Sequence, residues 1–364
     1  MRAFSEPAKQ RKEAIQKHKE RGGQVAAVLP IHYPRALLRA FNYLPVEVWG
    51  PPQIINRPSA AHLQPYICSI AHNALSFLLT GGLEPADLIL APHTCDSLQG
   101  LGSIILDFIK PRQAVLTLYL PRGGEPESLE YLAREIQSLY NQLELLTGCS
   151  PSMADLAESI HREEAADRAL SELYQQRLVL PLDSPAFYRL IRSREYLPAE
   201  VFESAARDVL SVAAESAQQG GTPILLSGIV PEPMAVLEAI TTAGGYIAGD
   251  DLACCGRRLY PPGASPAPFT RMAESLLHAP ADPTRGSPIQ ERFEWLLDMA
   301  HRTGARGVVF YEIKFCEPEL FDLPVLRKKL MKSGVRSTVI EIDLNDGLTQ
   351  QNLTRLEAFL EALQ

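Results

Sequence analysis

The chain has 364 residues, 46% of them hydrophobic and 21% charged, with a formal net charge of −8 and a pI near 5.6. These values describe a soluble globular protein too long for one ordinary core, so two domains are expected, and they speak against a nucleic-acid binder. The amino terminus carries Lys9, Arg11, Lys12, Lys17, Lys19 and Arg21 without the apolar core of a signal peptide, and no apolar run reaches membrane-spanning length; a cytoplasmic location is expected.

A charged helix is read over residues 1–23. A first α/β region follows: a strand at Gln24 to Pro30, a helix through Arg35 to Phe41, a strand at Val46 to Trp49, and a helix around Ala60 to Leu79 that carries Cys68. It continues with a strand at Asp87 to Ala91, a helix through Leu98 to Phe108 and a strand at Ala114 to Tyr119. Strands alternating with helices predict a parallel sheet with crossover connections.

From Glu125 to about Gln219 the apolar period is mostly 3.6, with helices at Ser128 to Leu146, Met153 to Leu178, Ser184 to Ile191 and Ala199 to Ala217. A second α/β region then runs through a strand at Pro223 to Gly228, a helix at Pro233 to Ala243, a strand at Tyr246 to Gly249 and helices near Thr270 and Gln290. It closes with a strand at Gly307 to Tyr311, a helix from Leu323 to Lys332, a strand at Ser337 to Ile342 and a helix from Thr349 to Leu363. The fold class is α/β, with parallel-sheet domains in tandem, residues 24–180 and 181–364, and a helical middle section. The proline-rich stretches Pro261 to Pro268 and Ala279 to Pro288 are loops.

Three of the six cysteines stand out. Cys95, in Pro-His-Thr-Cys-Asp-Ser, and Cys316, in Lys-Phe-Cys-Glu-Pro, directly follow strand-like runs, where α/β proteins build their sites; Cys68 lies on an apolar stretch. Thiolates from distant parts of a chain in a reducing compartment point to metal or catalysis before disulfides, while burial as small hydrophobes stays an equal alternative. There is no Cys-x-x-Cys, the usual spacing of structural zinc, whereas iron–sulfur clusters accept dispersed ligands. Cys68, Cys95 and Cys316 would leave one iron of a four-iron cube open to water or substrate.

Other residues carry two readings each. His32 and His93 flank the first and third strands and could donate protons near a carbonyl, or be satisfied loop histidines. Asp96 could cap the following helix or orient the cysteine loop. Arg257 and Arg258 could hold a phosphate or form surface ion pairs.

Several segments together resemble the 2-hydroxyacyl-CoA dehydratase and benzoyl-CoA reductase family: residues 32–37 (His-Tyr-Pro-Arg-Ala-Leu) with 45–50 (Pro-Val-Glu-Val-Trp-Gly), the Pro-His-Thr-Cys-Asp around Cys95, residues 244–252, the Lys-Phe-Cys-Glu-Pro around Cys316, and residues 340–343 with 354–361. The resemblance runs in order from about residue 24 to the carboxyl terminus. It implies two Rossmann-like (flavodoxin-like) domains with a [4Fe–4S] cluster between them on Cys68, Cys95 and Cys316. It further implies an acyl-CoA substrate, a homologous second subunit, a separate ATP-hydrolysing iron–sulfur activator and one-electron, ketyl-radical chemistry on the thioester. The alternative is a non-catalytic electron-relay or scaffold subunit beside a homologous catalytic one. The chain has no Gly-x-x-x-x-Gly-Lys-Ser/Thr loop, in keeping with ATP hydrolysis elsewhere.

Two departures matter. Where relatives read Pro-x-Glu after the first strand, this chain has Pro34-Arg35-Ala36, so Arg35 is expected to meet a CoA phosphate or lie on the surface. Where relatives carry one cysteine after Asp-Asp-Leu, this chain has Cys254-Cys255, possible extra cluster ligands that with Cys149 would suffice in number for a double-cubane cluster. Cys149 sits at a helix end and the further cysteine pairs of that branch are missing, so a single cluster is preferred.

Overall fold

A computed structural model describes residues 7–51, 58–123, 126–214 and 220–364; the last residues of the helix expected over Ala199 to Ala217, and the first of the one over 1–23, lie outside them. The first sheet holds β1 (Gln24–Val28), β2 (Tyr43–Glu47), β3 (Leu88–His93) and β4 (Ala114–Tyr119), all parallel, in the order β2-β1-β3-β4. Its connections are α2 (Arg35–Ala40), α3 (Ser69–Leu79) and α4 (Asp96–Ile104), after an amino-terminal α1 (Pro7–Glu20). In β1, Val25 and Ala27 join one core and Ala26 and Val28 another, which is why the strand reads as an unbroken apolar run: a parallel sheet is covered on both faces.

The middle section comprises α5 (Pro126–Thr147), α6 (Met153–Gln175), α7 (Ser184–Ser193) and α8 (Ala199–Leu210). A capping box of Ser152 and Asp155 starts α6, and Asp183 caps α7. The second sheet, β5 (Thr222–Gly228), β6 (Gly245–Leu252), β7 (Gly307–Ile313) and β8 (Arg336–Ile342), is also all parallel. Its order, β6-β5-β7-β8, repeats the 2-1-3-4 permutation of the first sheet. The remaining helices are α9 (Ala235–Thr242), α10 (Pro268–Leu277), α11 (Ile289–Thr303), α12 (Glu317–Lys332) and α13 (Gln350–Leu363). The fold is thus the expected α/β pair of parallel-sheet, Rossmann-like units.

The two units are not separate bodies. One apolar core contains Val25 and Ala27 of β1 together with Leu226 and Val309 of the second sheet. Helix α10, late in the chain, returns to the first unit and packs Met272, Ala273 and Leu276 beside Leu132 and Ile136 of α5. Gly228 ends β5 at φ 149°, and a Cβ there would lie 2.1 Å from the Tyr311 carbonyl oxygen, so only glycine lets β5 and β7 run this close.

Two element boundaries differ from expectation. The stretch Ala60 to Leu79 is not one helix: a 3-10 turn covers Pro58–Ala61, the chain is irregular through Pro65, and α3 starts at Ser69. Proline disfavours helix in the residue before it, which breaks the pattern and moves Cys68 from a helix interior to a helix start. Helix α12 begins at Glu317, six residues ahead of expectation, because Pro318 in its first turn is a good starter and Pro324 is absorbed inside it. Among the described residues no helix is long and apolar enough to cross a membrane.

Candidate functional site

Cys68, Cys95 and Cys316 are each the N-cap residue of a helix: α3, α4 and α12. Cys95 follows β3 of the first sheet and Cys316 follows β7 of the second, so the trio joins both units at the carboxyl ends of their strands. No cysteine side chain closes a capping hydrogen bond. The first-turn N–H groups of Ile70 and Ala71 nevertheless favour the thiolate of Cys68, and those of Ser97 and Leu98 that of Cys95.

The thiols lie within one another's electrostatic reach. Burial pushes all three up, Cys95 to about 12 with Cys68 adding to the effect, and Cys316 well above its usual range with Cys68, Glu319 and Cys95 contributing. Bare, the trio stays protonated; a cation that replaces the protons removes that repulsion. Among the described residues no three His, Cys, Asp or Glu side chains converge on a single metal ion. A cluster whose irons are each bound by a different thiolate needs no such point, so three thiols at three helix starts fit that group.

The other cysteines stand apart. Cys254 and Cys255 are fully buried with their sulfurs 3.3 Å apart, and neither is among the leading electrostatic neighbours of the trio. Cys149 is exposed beyond the end of α5.

His93 ends β3, two residues before Cys95, with its ring edge-on to Tyr119 at 4.4 Å. Neither ring nitrogen has a hydrogen-bond partner among the described residues, nor has Thr94 Oγ1, and burial lowers the imidazole pKa. A neutral, unengaged imidazole two residues before Cys95 in the chain is available to a ligand. His32 is the opposite case: its Nε2 lies 3.2 Å from Asp282, its Nδ1 3.1 Å from the Tyr260 hydroxyl, and it has no exposed surface. Burial lowers its pKa, with Asp282 opposing, so Nε2–H donates to the carboxylate and Nδ1 accepts from Tyr260. Of the two readings of His32 the structure has the satisfied loop histidine: both nitrogens are spent on holding a loop whose Ile31 and His32 stand at φ 69° and 57°. Asp96 is the first helical residue of α4, exposed and 2.7 Å from Arg122; it adds charge to the helix start rather than capping it.

The three arginines are not surface residues, a correction to that reading, and each guanidinium is paired with carboxylates. Arg35 pairs with Glu47 and Glu163, both at 3.2 Å. Arg257, wholly buried, meets Asp251 at 3.0 Å, Glu319 at 2.5 Å and Asp282 at 3.4 Å; Arg258 meets Glu47 at 2.6 Å. Opposing carboxylates already neutralise these guanidiniums, and Glu319 lies in the first turn of α12, so the network anchors the helix that presents Cys316.

A family model described as 2-hydroxyglutaryl-CoA dehydratase, D-component, matches residues 30–363. The chain belongs to this dehydratase family. It is 25% identical to the (R)-phenyllactyl-CoA dehydratase beta subunit of Clostridium sporogenes over 371 residues, covering 99% of this chain and 97% of that one. It is 24% identical to the lactoyl-CoA dehydratase beta subunit of Anaerotignum propionicum (97% and 95%) and to a benzoyl-CoA reductase subunit of Thauera aromatica (94% and 91%).

In this dehydratase-family chain a cleft of about 460 Å³ opens on the first sheet between α1, α3 and α7, walled by Val25, Val46, Trp49, Phe77, Met234 and Leu344. None of the trio lines it. Sequence reasoning passed over the buried acids Glu47, Glu163, Asp251, Asp282 and Glu319 that bind the arginines, and Glu312, whose two oxygens lack partners among the described residues and whose pKa burial raises well up. A signal existed: Glu47 and Glu312 each interrupt an apolar strand, where a carboxylate needs a partner or a proton.

Proposed function

We propose that the chain is a beta-type subunit of an acyl-CoA dehydratase or aromatic acyl-CoA reductase, holding one [4Fe–4S] cluster on Cys68, Cys95 and Cys316. The observation that carries this is three thiols from both units, each at a helix start and each within the others' electrostatic reach. Such a cluster, when bound, supplies single electrons at low potential, the chemistry that activates a thioester for loss of an unactivated β-hydrogen or for ring reduction. The chain's own part is to hold and insulate. Three helix N-termini offset the negative charge of thiolates, the shared core excludes water, and the Glu319 network fixes the start of α12. His93, neutral and unengaged, is the group placed to hold or move a proton at its ring nitrogens.

The partners follow from the same reading: a homologous second subunit, an ATP-dependent iron–sulfur activator and an acyl-CoA. That Cys68, Cys95 and Cys316 do not line the cleft favours a second form of it, in which this subunit passes electrons to a homologous catalytic one. The test is iron and acid-labile sulfide content with EPR on anaerobically purified protein, beside Cys68→Ala, Cys95→Ala and Cys316→Ala. The expected result is about four irons per chain, lost in each variant. Iron near zero after anaerobic reconstitution overturns the reading. Acyl-CoA binding to the isolated chain, against binding only to the paired subunits, separates the catalytic from the relay form.

A further inference from the structure

Cys254 and Cys255 play no part in the function proposed above. They are neighbours in the chain, have no exposed surface, and bring their Sγ atoms to 3.3 Å. We propose that this doublet is an oxidant-sensitive vicinal dithiol, a modification site at which a peroxide converts two adjacent thiols to a disulfide. The backbone already holds the arrangement. Cys254 N–H donates to the Ile229 carbonyl and Cys255 N–H to that of Leu252, both at 3.0 Å, and Cys255 (φ −131°, ψ −95°) enters the tight turn Gly256–Arg258. The sulfurs therefore need only close from contact distance to a bond of about 2.05 Å.

The step balances. One sulfur attacks a peroxide oxygen, the O–O bond breaks, and a sulfenic acid and one water result; the second sulfur then displaces the sulfenic oxygen, which leaves as a second water. Two thiol hydrogens and two electrons pass to the peroxide. Burial holds the Cys255 thiol well above its usual range, and the Arg192 guanidinium, within electrostatic reach of both sulfurs, opposes that rise. Complete burial admits a small neutral oxidant more readily than a bulky thiol, so the product is the internal disulfide and not a mixed one. Consecutive Cα atoms stand about 3.8 Å apart, short of the usual disulfide span of about 4.4 Å or more, so the ring is strained and more readily reduced than an ordinary disulfide once a reductant reaches it.

The turn has no slack to absorb closure: a Cβ on Gly256 would lie 2.1 Å from the Asp250 carbonyl oxygen. The same turn carries Arg257 and Arg258, and Arg258 ties the second unit to Glu47 of β2. Oxidation is thereby expected to loosen the junction between the units.

The experiment treats anaerobically purified protein with hydrogen peroxide, alkylates it in denaturant and reads peptide masses. The expected result is a peptide with residues 254 and 255 unalkylated and lighter by two hydrogen atoms, restored by dithiothreitol added in denaturant, with a melting temperature that falls on oxidation of protein already stripped of iron by a chelator. Cys255→Ala abolishes both changes; should that variant not fold, the wild-type peptide mass decides alone. Exposed Cys149 reports that oxidant was delivered. Full alkylation of both doublet cysteines after Cys149 is consumed, a sulfinic or mixed-thiol product on one of them, or iron lost from Cys254→Ala overturns the proposal.

Discussion

Glu47 sits on β2 with four donors around it: the Tyr33 hydroxyl at 3.0 Å, Arg35 at 3.2 Å, the Trp49 indole at 2.9 Å and Arg258 at 2.6 Å. Burial alone would raise its pKa; Arg258 and Arg35 override that and hold it below the usual carboxylate range. Glu47→Gln keeps the shape but leaves Arg258 buried without its counter-charge, and is expected to cost about 3–5 kcal/mol in urea unfolding. A loss under about 1 kcal/mol would mean that the arginine finds another partner. Little of this was legible at Arg35, Arg257 or Arg258 individually: Asp251 lies only 6 positions from Arg257, but the acids Glu47 and Glu319 lie 12, 62 or 211 positions from the arginines they bind. Cys95 and Cys316 could be placed from their own surroundings, since each follows a strand that the apolar pattern marks.

At the level of elements, the site depends on how helices start. Each of the trio precedes a first turn whose N–H groups are unpaired within the helix, so the donor set and the positive ends of three helices coincide. Helix α4 shows how the other end is managed: it passes into a π turn over Ile105–Ile109 and stops at Lys110, left-handed at φ 49°. Lys110→Gly removes that steric penalty and is expected to stabilise the protein by about 0.5–1 kcal/mol, read from the urea midpoint at constant slope. No change or a loss would show that unfolded-state entropy outweighs the relief. Strands and most helices were legible because their apolar periods are strong; the starts of α3 and α12 were not, since proline breaks one pattern and is tolerated in the other.

Over the whole molecule the helical middle section works as a strap. Glu163 on α6 takes Arg35 from the first unit at 3.2 Å and Arg194, 1% exposed, from beyond α7 at 2.5 Å. Burial opposes its ionisation, but Arg194 and Arg35 hold the Glu163 carboxyl at about 2. A folded value below the unfolded one gives stability that is full above about pH 4.5 and lost as pH falls toward about 2. The stability gap between wild type and Glu163→Gln is therefore expected to be about 3 kcal/mol near neutrality and to shrink across that window. A gap independent of pH down to about 2 would show that packing, not charge, makes the difference.

The sequence by itself determined the repeated α/β units, the family and the six cysteines as candidates, because strand and helix periods and short motifs are local in the chain. Only the tertiary structure decided which thiols stand together, that His32 is enclosed while His93 is unengaged, and that the arginines serve buried carboxylates. Those outcomes are set by contacts between residues hundreds of positions apart, such as Arg258 with Glu47 and His32 with Asp282, and by burial, which decides whether a charge needs a partner.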